Sequence, residues 1–156
     1  RVGYAARMET RKCPHFLESI DSLVFTDDYD VQWWEKNLNL DTSSWKVYNY
    51  RHEQLNMFMK QDWGISHSAH IYEPFGYSIF QAVDWGKIPI LAHDWLIDYD
   101  YPFRASSKEE FQEQYKNICE LTLQEKRDYL FPLRDYLKQW DNKEEWRDRL
   151  LEIYNE

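Results

Sequence analysis

A chain of 156 residues is one domain's worth and can bury a core without disulfides or a structural metal. With 19 Lys and Arg against 28 Asp and Glu, the net charge of −9 excludes a broad nucleic-acid or anionic-membrane surface but tolerates a small basic pocket. The 8 Trp, 12 Tyr and 8 Phe exclude disorder despite a mean hydropathy of −0.83, since Trp and Tyr score as polar yet pack as apolar bodies.

In chain order, Val2 to Ala6 reads as a short apolar strand. Pro14 to Ile20 reads as a short helix with Phe16, Leu17 and Ile20 at helical spacing. Leu23 to Thr26 is a second strand, and Asp30 to Leu38 a helix with Val31, Trp34 and Leu38 on one face. Trp45 to Tyr50 is a third strand, rich in aromatic and β-branched residues. Glu53 to Gln61 is helical, Gly64 to Ser66 a fourth strand, Gly76 to Asp84 a helix ended by Gly86, and Ile88 to Ala92 a fifth strand. Such alternation predicts an α/β fold: a Rossmann-like parallel sheet buried on both faces by flanking helices. Ligands of open sheets sit beyond the carboxyl ends of the strands, so the loops after Ala6, Thr26, Tyr50, Ser66 and Ala92 matter most.

The last third is helical. Ser107 with Glu110 forms a capping box, Thr122 with Glu125 repeats it, and Asp141 with Glu144 approximates a third. Pro132 is expected to kink or break the middle helix. No repeat or linker interrupts the chain, so residues 1–156 read as one domain, with a core over 1–95 and the last α/β element and helices over 96–156. No run reaches the roughly 18 apolar residues of a membrane helix, and no signal pattern opens the chain. Cys13 and Cys119 match no metal or redox spacing, so two free thiols in a cytoplasmic protein are expected. The chain opens at Arg1 directly into a strand, which suggests a piece cut from a longer protein.

The most informative segment runs from Glu73 through Pro74, Phe75 and Gly76 into Tyr77 and Ser78, and on to Gly86, Pro89 and Ile90. Gly76 permits close backbone approach to a ligand, and the amides at the helix start suit a phosphate. Glu73 could accept hydrogen bonds from hydroxyls but would repel a phosphate. Hydroxyls beside a phosphate describe a sugar phosphate. Fixed cations aimed at such a diphosphate would stabilise the charge left when the sugar–phosphate bond breaks.

This segment resembles the donor-binding motif of GT-B retaining glycosyltransferases of the group 1, or family 4-like, type. That motif reads E-P-F-G, an apolar helix, an acidic residue, then G-x-P-V/I; Glu73, Pro74, Phe75, Gly76, Ala82, Gly86, Pro89 and Ile90 match it. The family's G-R-x(4)-K pattern is matched by Arg7 and Lys12, with Ala6 where glycine is usual. The resemblance implies that Arg7 and Lys12 neutralise the donor diphosphate and that Glu73 meets the donor sugar. It places the amides of Phe75, Gly76, Tyr77 and Ser78 on a phosphate, and Tyr50 and Arg51 near the base. The second acidic position, which holds the ribose in the family, is Gln81, an uncharged acceptor. Ser68 corresponds to the serine of a common P-S pair, while His93-Asp94-Trp95-Leu96 replaces a usual glycine pair. The resemblance covers Val2 to Trp95 and implies no metal and no cofactor beyond the nucleotide-sugar donor. It further implies a missing N-terminal acceptor domain as partner, without which the piece is inactive.

Other readings compete. The same fold could serve as a non-catalytic partner-binding module, favoured by Gln81 and the aromatic surplus. It could also belong to a viral-type glucosyltransferase, with nucleic acid only as the acceptor. His67 and His70 have the spacing of a metal pair but lack further ligands in sequence. Asp27 and Asp28 follow a strand as in phosphate-accepting receiver domains, but Tyr50 and His93 to Trp95 do not supply a receiver's other residues. The aromatics of the tail read as core or interface.

Overall fold

The computed structural model describes residues 1–49, 55–71 and 77–140, with the backbone alone at 77 and 78. Its five strands are β1 (Val2–Ala5), β2 (Ser22–Thr26), β3 (Trp45–Asn49), β4 (Ile65–Ser68) and β5 (Ile88–Leu91). They form one all-parallel sheet in the order β3-β2-β1-β4-β5. Five helices accompany them among the described residues: α1 (Asp28–Leu38), α2 (Leu55–Met59), α3 (Tyr77–Asp84), α4 (Lys108–Glu120) and α5 (Leu123–Leu137). The protein is therefore α/β and Rossmann-like, as the alternation of strands and helices predicts.

Burial follows strand position. β2, β4 and β5 are buried at every residue, whereas the edge strand β3 is half-buried or exposed throughout. Alternate side chains of β2 feed opposite faces. Leu23 and Phe25 pack with Phe58, Met59 and Trp63, while Val24 joins the larger cluster with Phe16, Leu17, Val31 and Trp34.

Several elements differ from their sequence-predicted bounds for local reasons. The segment after Cys13 is a 3-10 turn, Pro14–Leu17, and not a helix to Ile20, because Ser19 turns left-handed at φ 64°. Helix α1 starts early because Asp27 caps it, its carboxylate accepting the Tyr29 N–H at 2.9 Å. That role also accounts for Asp27 and Asp28 without a phosphate acceptor. Strand β4 runs to Ser68 because it pairs with β5 up to Leu91. The expected end of the third strand at Tyr50, the start of the next helix at Glu53 and the cap at Asp141 lie outside the described residues.

Gly3, in the middle of β1, is required by packing. A Cβ there would lie 2.2 Å from Cε3 of Trp63. That ring cannot retreat: its N–H donates to the Phe58 carbonyl at 3.0 Å, and the Lys87 ammonium sits 4.6 Å over its face. Lys87 also donates to the Trp63 carbonyl at 2.7 Å. Gly3→Ala is expected to cost about 2–3 kcal/mol by overpacking. Urea unfolding measures this, and a loss under about 0.5 kcal/mol would mean that the ring is free to shift.

In the tail, the Thr122–Glu125 capping box closes in both directions. At Ser107 it is half-formed: Ser107 Oγ accepts the Glu110 N–H, but the Glu110 carboxylate takes the Ser106 N–H at 2.7 Å. Pro132 does not break α5, which runs from Leu123 to Leu137. Leu130, Leu133 and Leu137 are buried on one stripe, and each buried leucine contributes about 1.5–3 kcal/mol against about 3 for an interior proline. Pro132 itself is exposed, as is Asp128, whose carbonyl loses its helical donor and can meet water. Of the described tail aromatics, Phe103 and Phe111 are buried and Tyr99 lies 4.3 Å from Tyr136, ring to ring, whereas Tyr129, Phe131 and Trp140 are exposed. Both cysteines are free thiols, Cys13 buried and Cys119 exposed. Among the described residues, no helix is long and apolar enough to cross a membrane.

Candidate functional site

In this strand order the chain reverses direction across the sheet between β1 and β4. The loops leaving these two neighbours diverge there and open the crevice where open parallel sheets take ligands. Arg7 and Lys12 lie in the loop after β1, and the Glu73 motif lies in sequence between β4 and α3. The β1 loop meets the residues that follow β4 at this seam, where the Ile71 N–H donates to the Arg11 carbonyl at 2.8 Å.

The β1 loop is pinned by aromatic donors. The Tyr4 hydroxyl donates to the Arg7 carbonyl at 2.9 Å, and the Trp34 indole N–H donates to the Met8 carbonyl at 2.6 Å. Arg7, Arg11 and Lys12 give three cations against Glu9, so this loop is locally basic in an acidic chain. Glu9 sits between the arginines, 3.6 Å from Arg7 and 2.7 Å from Arg11, and they hold its carboxyl below the usual range. The Arg7 side chain is 82% exposed, which leaves it accessible to an incoming anion. Lys12 ends a 3-10 turn and is half-buried; burial, then Arg11, pull its pKa down.

Beneath the loop lies a buried polar cluster. His67 uses both ring nitrogens: Nε2–H donates to the Cys13 carbonyl at 2.9 Å, and Nδ1 accepts the Ala69 N–H at 3.3 Å. Its ring stacks at 3° to Phe16 and sits 4.6 Å from Phe111. Burial drives its pKa to about 4. His67 is thus a structural bridge, and it could join His70 on a metal only by giving up the bond at the nitrogen that ligates. His70 differs. It is 5% exposed, and its Nε2 has no hydrogen-bond partner. A buried polar atom in that state costs about 1–3 kcal/mol. Burial, then His67 and Lys12, push its pKa well below 6.5.

The remaining expected site residues separate. Glu73, Phe75, Gly76, Tyr50 and Arg51 lie outside the described residues. Tyr77 and Ser78 open α3, where helix-start amides lack intrahelical partners. Gln81 is exposed on α3, one turn further on. Ser68 is buried, its hydroxyl 3.2 Å from that of Ser66. His93 contacts Glu110 at 3.2 Å, and Trp95 is buried.

Arg104 carries a role that no motif announces. Its guanidinium donates to the carbonyls of Ala92 and Tyr101 at 3.1 Å, Leu96 at 2.9 Å and Tyr99 at 3.0 Å, and also to that of Trp95. The loop it gathers borders an open cavity of about 510 Å³ beyond β5, lined by His93, Asp98, Tyr99, Asp100 and Arg104 among others. With the guanidinium spent on carbonyls, Asp98 and Asp100 dominate there, so this cavity disfavours anions. The seam between β1 and β4 is the basic site.

No family model matches the sequence, and no curated protein does at a significant level.

Proposed function

We propose that this chain is the donor-binding half of a metal-independent, retaining glycosyltransferase that moves a sugar from a nucleotide diphosphate to an acceptor. The observation that carries the reading is the adjacency of β1 and β4 at the point where the sheet reverses. It sets the Arg7–Lys12 loop beside the residues that follow β4, where the Ile71 N–H donates to the Arg11 carbonyl. In this reading Arg7 and Lys12 stabilise charge on the leaving diphosphate, and the amides from Phe75 to Ser78 bind a phosphate. Glu73 meets the sugar hydroxyls, Gln81 accepts from the ribose, and Tyr50 and Arg51 flank the base. A second domain of the whole enzyme supplies the acceptor side of the cleft, so the 156-residue chain alone binds donor without turnover.

At about 100 times Kd, a UDP- or GDP-sugar should stabilise the protein by about 2.7 kcal/mol and raise Tm by about 5–10 °C. Arg7→Ala and Lys12→Ala should each remove most of that shift while leaving the ligand-free Tm within about 2 °C. No shift with either nucleotide sugar would sink the donor reading. A non-catalytic module of the same fold draws support from the Glu9 carboxylate, which already engages Arg7 and Arg11. It predicts that Glu9→Gln leaves nucleotide affinity unchanged. The donor reading predicts that Glu9→Gln tightens it, by releasing both arginines.

A further inference from the structure

We propose that His70 is a further ligand-binding residue of the β1–β4 seam, donating a hydrogen bond from Nε2 to a phosphate oxygen of the bound nucleotide diphosphate. His70 takes this role only if the seam binds a diphosphate, as the donor reading holds.

The position is specific. His70 stands two residues past the end of β4, at the reversal point of the sheet. Its neighbour Ile71 is tied to Arg11 across the seam, so the ring is held between the two loops. None of the groups around it pairs with Nε2. The Tyr4 ring is 6.2 Å away, but its hydroxyl serves the Arg7 carbonyl. The His67 ring is 5.5 Å away, but both of its nitrogens are committed to backbone atoms. Within the protein, His70 Nε2 is thus left without a hydrogen-bond partner.

Buried polar atoms in folded proteins are almost always paired, so an exception points to a missing partner. One other side-chain atom shares this state among the described residues, Ser44 Oγ. Ser44 precedes β3 and lies at the amino end of the sheet, away from where ligands bind. His70 lies at the carboxyl end.

Electrostatics select the partner. Lys12 acts on His70 through space and opposes a second positive charge there. Burial first, then His67 and Lys12, keep the imidazole neutral, with one N–H to give. A cation would be repelled by Lys12, and a metal would need an occupied nitrogen of His67. An anionic oxygen can accept the imidazole N–H and is attracted by the nearby Lys12 charge.

Isothermal titration at pH 7.5 with UDP, GDP and inorganic pyrophosphate tests this on wild type, His70→Leu and His70→Gln. His70→Leu should bind about tenfold more weakly, the loss of one hydrogen bond to a charged group. Its ligand-free Tm should stay level or rise, because the substitution removes an unpaired buried nitrogen. His70→Gln, whose amide can donate, should recover part of the affinity. Wild-type affinity in His70→Leu would overturn the assignment while leaving the donor reading intact. A large fall in its ligand-free Tm would also overturn it, by making His70 a structural residue. Wild type that binds none of the three probes would overturn both.

Discussion

Arg104→Ala should lower Tm by about 10 °C, from a loss of about 3–5 kcal/mol. All the N–H donors of the guanidinium point to main-chain oxygens, those of Ala92, Trp95, Leu96, Tyr99 and Tyr101. These oxygens span the turn that leads from β5 towards α4. Among the main-chain donors of the turn, Trp95 and Tyr99 also reach the carbonyls of Ala92 and Leu96, and bonds from a charged donor are worth about 1.5–3 kcal/mol each before non-additivity. Leu96 is held left-handed at φ 47°, a conformation a leucine keeps only when its surroundings enforce it. Lysine should rescue less than half of the loss, because one ammonium has three donors and no planar fork. Thermal unfolding gives the energy, and hydrogen exchange over residues 92–104 gives its location. If both variants melted within about 2 °C of wild type, Arg104 would not organise the turn.

Alternation of strands and helices was legible because each strand is a short apolar run and parallel sheets bury both faces. That the strand-to-helix loops share one end was legible for the same reason, but the strand order, and so the reversal between β1 and β4, was not. What escaped the sequence is contact between distant residues. Gly3 looks like any small strand residue until Trp63 is placed on its face, 60 positions later by subtraction of the two numbers. The metal-pair spacing of His67 and His70 is real, yet main-chain atoms take both nitrogens of His67, and periodicity carries no record of main-chain partners. Pro132 is a helix breaker by local rules, but three buried leucines outweigh it. Arg104 had no signal at all, because a cation that binds carbonyls needs no particular residue type in return.

Stability should fall as pH drops from about 6.5 towards about 4, with His67 alone removing about 3 kcal/mol over that span. The sign follows from proton uptake. In the unfolded chain His67 has its ordinary pKa of 6.5, while in the folded protein burial depresses it to about 4. Below pH 6.5 the unfolded chain binds a proton that the folded chain refuses, so acid favours unfolding. The contribution is fully present above 6.5 and is lost as the pH falls through the folded value. His70 acts in the same direction, driven first by burial, and half-buried His15 follows for the same reason. The carboxylates held below their ordinary range, Glu18 and Glu110 among them, lose their share only below about pH 4.5. The interval from pH 6.5 to 5 therefore isolates the histidines, and His67 should account for about 2 kcal/mol within it. His67→Gln should be less stable at pH 7, since it gives up a fitted bridge to Cys13, but its stability should decline less steeply over that interval. Urea unfolding at half-unit steps of pH separates the two effects. Equal slopes for wild type and variant would mean that His67 titrates normally in the folded state, which its burial opposes.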